Sequence, residues 1–288
     1  MTDHKPGSAL PVSSSVPSPS SAEGRDIRKY SIVIPTVNRG ESYAGLNRKN
    51  FIQRTMNSLH RSKVLEYKDC YVNIVESGST NRSYLDFAKE ERFQSVIVHW
   101  NEERIMWPEN FVRCMKIGAS QATHVMLMED DVDLIPDFME EVDAFVTKYP
   151  NEKIWKMGGS YHYLTVLASQ GVDMARTDGY YGNQCVIFTR ENAISVSKCI
   201  EEWKTRRPDA VKGVDICIKK YWFPKIAKPG EAIVCMKTPS AIQHIGDESS
   251  LCNKGCIDGI NYPSFYLNKK LFKDQKGDPY SKKKRKRK

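Results

Sequence analysis

The 288-residue chain is expected to fold as an α/β domain: a mostly parallel central sheet with helices on both faces, plus a smaller mixed part from the C-terminal half. Three observations lead there. Short apolar runs alternate with stretches of helical periodicity through the first half, the pattern of strand–helix–strand units. Hydrophobic residues make up 40% of the chain, enough for a substantial core at this length. One apolar run also ends abruptly in Glu129-Asp130-Asp131, and open α/β sheets bind ligands beyond the carboxyl ends of their strands.

The elements follow in order. Tyr30 to Pro35 reads as a buried strand leading into a loop, Thr36 to Gly45. A helix is expected from about Asn47, with Ile52, Met56 and Leu59 on one face. Tyr71 to Val75 is the next strand. Glu76-Ser-Gly-Ser-Thr-Asn81 has loop chemistry, and Ser95 to Trp100 is a third strand. Pro108 opens a helix in which Phe111, Cys114, Met115, Gly118 and Ala119 share a face. The small Gly118 and Ala119 let that helix lie close to a sheet. His124 to Met128 is the fourth strand, and Pro136 starts a helix carrying Phe138, Val142, Phe145 and Tyr149. The second half is more mixed. Strands are expected at Ile154 to Met157, Tyr180 to Thr189, Ile233 to Cys235 and Ala241 to His244. Helices are expected at Glu191 to Trp203 and Val214 to Trp222. Residues 1–26, rich in Ser and Pro, and the polar stretch 269–288 read as loose ends around a domain spanning 27–268.

The net charge of +9 hints at nucleic acid, but its placement argues otherwise. Lys282 to Lys288 are all basic; without those seven the 44 basic residues fall to 37 against 35 acidic, and the charge falls to +2. The body is nearly neutral and has no recognisable nucleic-acid reader motif, so a role with nucleic acid is left only to the tail. No run of about 18 apolar residues suits a membrane span, and no apolar signal core opens the chain. The eight cysteines are scattered, several inside apolar runs, as for reduced, buried thiols. A soluble cytoplasmic protein is therefore expected, unless the chain is a truncated piece. Cys252 and Cys256 lie near His244, but their spacing matches no standard zinc pair.

The acidic cluster carries the chemistry. Three adjacent carboxylates, with Asp133 close behind, repel one another. A divalent cation relieves that cost, and hard oxygen ligands suit Mg²⁺ or Mn²⁺. The plainer reading is a solvated acidic turn that caps a helix.

Val125-Met-Leu-Met-Glu-Asp-Asp131 resembles the "DxD" segment of GT-A glycosyltransferases. Tyr30 to Thr36 resembles the first strand and nucleotide-contacting loop of that superfamily, and Glu76 to Thr80 the loop where a carboxylate meets uridine, with Glu in place of the commoner Asp. Pro239-Ser-Ala-Ile-Gln-His-Ile-Gly-Asp-Glu-Ser-Ser-Leu251 resembles a segment of the type IV β-1,4-N-acetylglucosaminyltransferases, which branch N-glycans. The resemblance spans residues 30 to 265 or so. It implies a GT-A fold, a UDP-sugar donor (UDP-GlcNAc by analogy), a glycan or glycoprotein acceptor and an inverting transfer. It implies Mn²⁺ or Mg²⁺ held by Asp131 and His244. Donor contacts are implied at Pro35, Thr36, Asn38, Arg39, Glu76, Ser77, Asn101, Glu129, Asp130, Ser249 and Ser250.

An inverting transfer needs a carboxylate base near the acceptor and away from the metal. Asp215, in Lys212-Gly-Val-Asp-Ile-Cys217, is the candidate by analogy, and an N-cap role is the alternative. Tyr180-Tyr-Gly-Asn-Gln184 could wall a sugar site or be an ordinary strand end. A second function class stays open: a non-catalytic nucleotide-sugar or carbohydrate-binding module with a basic targeting tail.

Overall fold

The structure is a computed structural model that describes residues 28–41, 50–158, 171–177, 180, 182–209 and 213–245. Eight strands form one sheet: β1 (Arg28–Thr36), β2 (Cys70–Glu76), β3 (Val96–His99), β4 (Ala122–Met128), β6 (Ile154–Lys156), β7 (Met174–Thr177), β8 (Cys185–Thr189) and β9 (Val234–Lys237), in the order β3-β2-β1-β4-β8-β6-β9-β7. The half containing β1 to β4 is parallel throughout. Past β4 the pairing turns mixed: β8 runs antiparallel to β4 and β6, while β6 and β9 are parallel. The expected class and its mixed second half are both present, with the second half extending the same sheet. A separate two-stranded ribbon pairs β5 (Val132–Leu134) with β10 (Ile242–His244) antiparallel.

Alternation along the strands builds two cores. Ile32, Ile34, Met126 and Met128 face one side, where helices α1 (Ile52–Arg61) and α3 (Phe138–Lys148) cover them. Val33, Val125 and Leu127 face the other side, under α2 (Trp107–Gln121) and α4 (Arg190–Arg206). The same side holds a helical run made of α5 (Val214–Cys217), a π turn Ile218–Trp222 and α6 (Phe223–Ile226). Each large apolar side chain buried this way stabilises by roughly 1.5–3 kcal/mol.

Local chemistry fixes the placements. Ile52, Met56 and Leu59 all lie on the buried face of α1, as expected; the helix starts at Ile52 rather than Asn47, and 42–49 lie outside the described residues. Gly118 packs so tightly that a Cβ there would sit 2.5 Å from a Val125 methyl. Thr189 caps α4 by accepting from the Asn192 N–H.

The short β5 was not foreseen. Two small polar residues of α1 hold it: Thr55 donates to the Asp130 carbonyl and accepts from Val132 N–H, and Ser58 accepts from Leu134 N–H. Strand β7 was missed as well. The strand expected from Tyr180 begins only at Cys185, because Gly182 has φ +66 and breaks extended geometry. Among the described residues no helix is long and apolar enough to cross a membrane. The proposed limits of the domain, its loose ends and the basic tail lie outside the described residues.

Candidate metal and donor site

Strands β1, β2 and β4 run in one direction, so their carboxyl ends meet at one edge of the sheet. Three loops leave that edge together: 36–41, 76–81 and 129–131. Ser77 N–H donates to the Thr36 carbonyl (2.9 Å), and Asn38 N–H donates to Ser79 Oγ (2.9 Å). Asn101 Nδ2 donates to the Glu76 carbonyl, and Asn110 Nδ2 to Ser77 Oγ (2.7 Å). Pro35, Thr36, Asn38, Arg39, Glu76, Ser77 and Asn101 are thus gathered in one hydrogen-bonded, mostly buried patch.

Glu76, expected at the donor by analogy, is tied into its own loop. It is fully buried, and its carboxylate accepts from Gly78 N–H (2.6 Å), Ser79 N–H (2.9 Å) and Tyr84 O–H (3.1 Å). Those three donors make it the internal brace of its own loop. Gly78 is required there: its φ is +83, and a Cβ would fall 2.0 Å from the Glu103 carbonyl oxygen.

The acidic triplet divides its labour. Asp130 turns inward, accepting from Thr36 Oγ1 (2.7 Å) and the Arg39 guanidinium. Asp131 shares the same guanidinium through Oδ2 (2.9 Å). Its Oδ1 lies 3.1 Å from His244 Nε2, which is 3.8 Å from Glu129 Oε2. The β5–β10 ribbon brings His244 there: it pairs His244 with Val132, and Ile245 N–H continues the ladder to the Asp131 carbonyl (2.8 Å). Ion pairs with Arg54 and Arg61 occupy Asp133.

Glu129, Asp131 and His244 therefore converge, each offering a ligand atom within 4.8 Å of the others. The residues fit a divalent cation. Asp131 Oδ1 is buried without a conventional hydrogen-bond partner, and two carboxylates with an imidazole suit Mn²⁺. Asp131 and His244 were expected as ligands; Glu129, expected at the donor, joins them.

Electrostatics agree with that geometry. Burial works to raise the Asp131 carboxyl, but His244 and Arg39 outweigh it and hold the group down at about 2. Burial opposes charge on His244, yet Asp131 and Glu129 raise it to about 9. Glu129 is pushed up to about 7 by burial, with the Asp131 charge adding to the effect. The imidazolium stands where a cation would otherwise balance the carboxylates.

Asp215 lies in the first turn of α5, whose N-cap is Gly213 at φ +98. The capping alternative does not hold, because the Asp215 carboxylate is turned to another segment. Its Oδ2 accepts from Gly182 N–H (2.9 Å) and its Oδ1 from Asn183 Nδ2 (3.1 Å). Asn183 N–H in turn donates to Glu129 Oε1 (3.0 Å). The candidate base is thus one residue's span from the Glu129–Asp131–His244 cluster. Tyr180 is buried, edge-on to Phe223, with its hydroxyl on Asn183 Oδ1 (2.6 Å), so it supports the core and forms no sugar wall. Ser249, Ser250, Cys252 and Cys256 lie outside the described residues.

Two residues went unnoticed in the sequence. In the sequence Asn183 stands out only as part of the run Tyr180 to Gln184. Lys156, in Ile154-Trp-Lys-Met157, is buried on β6 with Nζ donating to the Gly182 carbonyl (3.2 Å). Burial lowers its ammonium to about 8 against the opposing pull of Glu129 and Asp215. A lysine inside a short apolar run was the available signal.

No family model matches the chain, and no curated protein does. Among solved structures it is similar to S. aureus TarS 1–349 at 12% identity, over 74% of this chain and 59% of that one, with a TM-score of 0.49. The complex of TarS 1–349 with UDP-GlcNAc gives 14% identity, 74% and 57% coverage and a TM-score of 0.46. The mannosyltransferase PcManGT from Pyrobaculum calidifontis, in complex with GDP-Man and Mn²⁺, gives 14% identity, 88% and 67% coverage and a TM-score of 0.45. The chain spans 59% of the length of TarS 1–349.

Proposed function

We propose that this chain is a metal-dependent glycosyltransferase of GT-A type that moves a sugar from a UDP-sugar onto a glycan hydroxyl. One observation carries the reading: Asp131, Glu129 and His244, brought together across more than a hundred positions of sequence, form a cation-ready cluster beyond the carboxyl ends of parallel strands. The resemblance of residues 125–131 and 239–251 to GT-A and type IV segments supports it and makes GlcNAc the donor sugar of first choice.

Glu129, Asp131 and His244 would hold Mn²⁺ or Mg²⁺. Such an ion stabilises the negative charge that grows on a leaving diphosphate. The rest is work for the chain. The patch from Pro35 to Arg39, with Ser77 and Asn101, offers polar groups for the nucleotide. Asp215 accepts the acceptor hydroxyl's proton as that oxygen bonds to the anomeric carbon and the bond to the diphosphate breaks, so the anomeric configuration inverts. Among the described residues each Asp215 oxygen accepts one hydrogen bond, leaving a lone pair for the proton.

A thermal-shift screen of nucleotide sugars with and without Mn²⁺, followed by transfer assays, tests the proposal. Stabilisation by a UDP-sugar that depends on Mn²⁺, with turnover, is expected. Stabilisation without turnover would mean a binding module, and the absence of both would remove the assignment.

A further inference from the structure

The proposed chemistry needs Asp215 and the metal cluster held at a set separation. Gly182 and Asn183 sit between the two. Gly182 N–H and Asn183 Nδ2 take the two Asp215 oxygens, and Asn183 N–H takes Glu129 Oε1. Tyr180 O–H on Asn183 Oδ1 sets the amide orientation, leaving Nδ2 to face Asp215. Gly182 is at φ +66, where a Cβ would meet the Gln184 side-chain amide at 2.5 Å, so the turn is specific to glycine. Beneath it, the buried Lys156 ammonium donates to the Gly182 carbonyl. Placing an ammonium in a core is costly; the Gly182 carbonyl and the nearby Glu129 and Asp215 carboxylates offset part of that cost.

We infer that Lys156, Gly182 and Asn183 form a positioning strap, anchored by the Lys156 ammonium, that fixes Asp215 relative to Glu129. This rests on the reading of Asp215 as the base and Glu129 as a metal ligand. Lys156 is a positioning residue: it acts through the Gly182–Asn183 peptide. Displacing a reacting group by about 1 Å can cost roughly a hundredfold in rate.

The test uses the full chain, Mn²⁺ and UDP-GlcNAc, with donor affinity measured by calorimetry and transfer measured as kcat and KM. Lys156→Met is expected to lower kcat by about a hundredfold while donor Kd stays within about threefold, a loss confined to the chemical step. Asn183→Ala, which removes the Asp215 donor by a different route, is expected to behave alike and stands in should Lys156→Met not fold. In an Asp215→Asn background neither change should lower kcat further, because residues acting as one unit are non-additive. A loss that multiplies with Asp215→Asn, or a donor Kd that weakens in step with kcat, would overturn the strap and assign Lys156 to folding or donor binding. An active wild type with unaffected variants sinks the strap alone; a wild type that neither binds donor nor transfers sinks the parent reading with it.

Discussion

His244 Nε2 lies 3.1 Å from Asp131 Oδ1, although more than a hundred positions separate the two residues. The contact is a product of topology: β10 returns to pair with β5 immediately after the acidic turn.

His244→Ala and Asp131→Ala should each abolish Mn²⁺ binding, and with it Mn²⁺-dependent turnover of the donor. Calorimetric titration of Mn²⁺ into the two variants checks this. Wild-type affinity in both would dissolve the cluster as a metal site.

Mn²⁺ affinity should fall with acidity. The ion needs His244 neutral, and in the folded protein that group holds its proton up to about pH 9. Below that pH each unit of acidification should weaken binding about tenfold, one proton being displaced per ion. Glu129 loses its proton only near 7, so the dependence should steepen towards two protons below that pH. Titrations between pH 6 and 8.5 read the slope; a flat profile would mean the ion binds elsewhere.

Asp215→Asn should leave UDP-sugar stabilisation of the protein nearly intact while transfer falls by about 10²–10⁴-fold, the usual worth of a general base. Paired thermal-shift and transfer assays decide it. Unchanged transfer would remove Asp215 from the mechanism.

Arg39→Met removes the buried guanidinium shared by Asp130 and Asp131, whose side chains are 10% and 8% exposed. Stranding those charges should destabilise the protein by about 3–5 kcal/mol. Saturating Mn²⁺ should restore a good part of that, about 2.7 kcal/mol at a hundred times its Kd. Urea unfolding with and without the ion measures both effects.

Gly118→Ala should destabilise despite Ala's better helix propensity. The overpacking against the stiff Val125 costs about 1–3 kcal/mol, against about 1 kcal/mol gained in the helix. A lower urea midpoint at an unchanged slope is the expected signature.

The sequence was most informative where one periodicity dominated. The parallel half, from Tyr30 to Met128, could be read from apolar runs and from the helical spacing of Ile52, Met56 and Leu59. Gly118 was read correctly as a close-packing residue. Strands β5 and β7 were not legible, because Val-Asp-Leu and Met-Ala-Arg-Thr each carry a charged residue and no apolar run; β5 exists because Thr55 and Ser58 bond to its backbone. At the site, Asp131 and His244 could be nominated from motif resemblance. Asn183 and Lys156 could not, since their importance lies in hydrogen bonds to chain segments far away in sequence. Glu76 shows the converse: a motif position whose carboxylate the fold uses to shape its own loop.

The β5–β10 ribbon has a consequence for biosynthesis. A nascent chain that has emerged only to Thr238 already holds every strand of the large sheet, yet its acidic turn still lacks an imidazole. A version cut before Ile242 would keep the acidic motif and the strands of the large sheet but lack the third member of the cluster. The cluster of Glu129, Asp131 and His244 is thus completed by the docking of a three-residue strand.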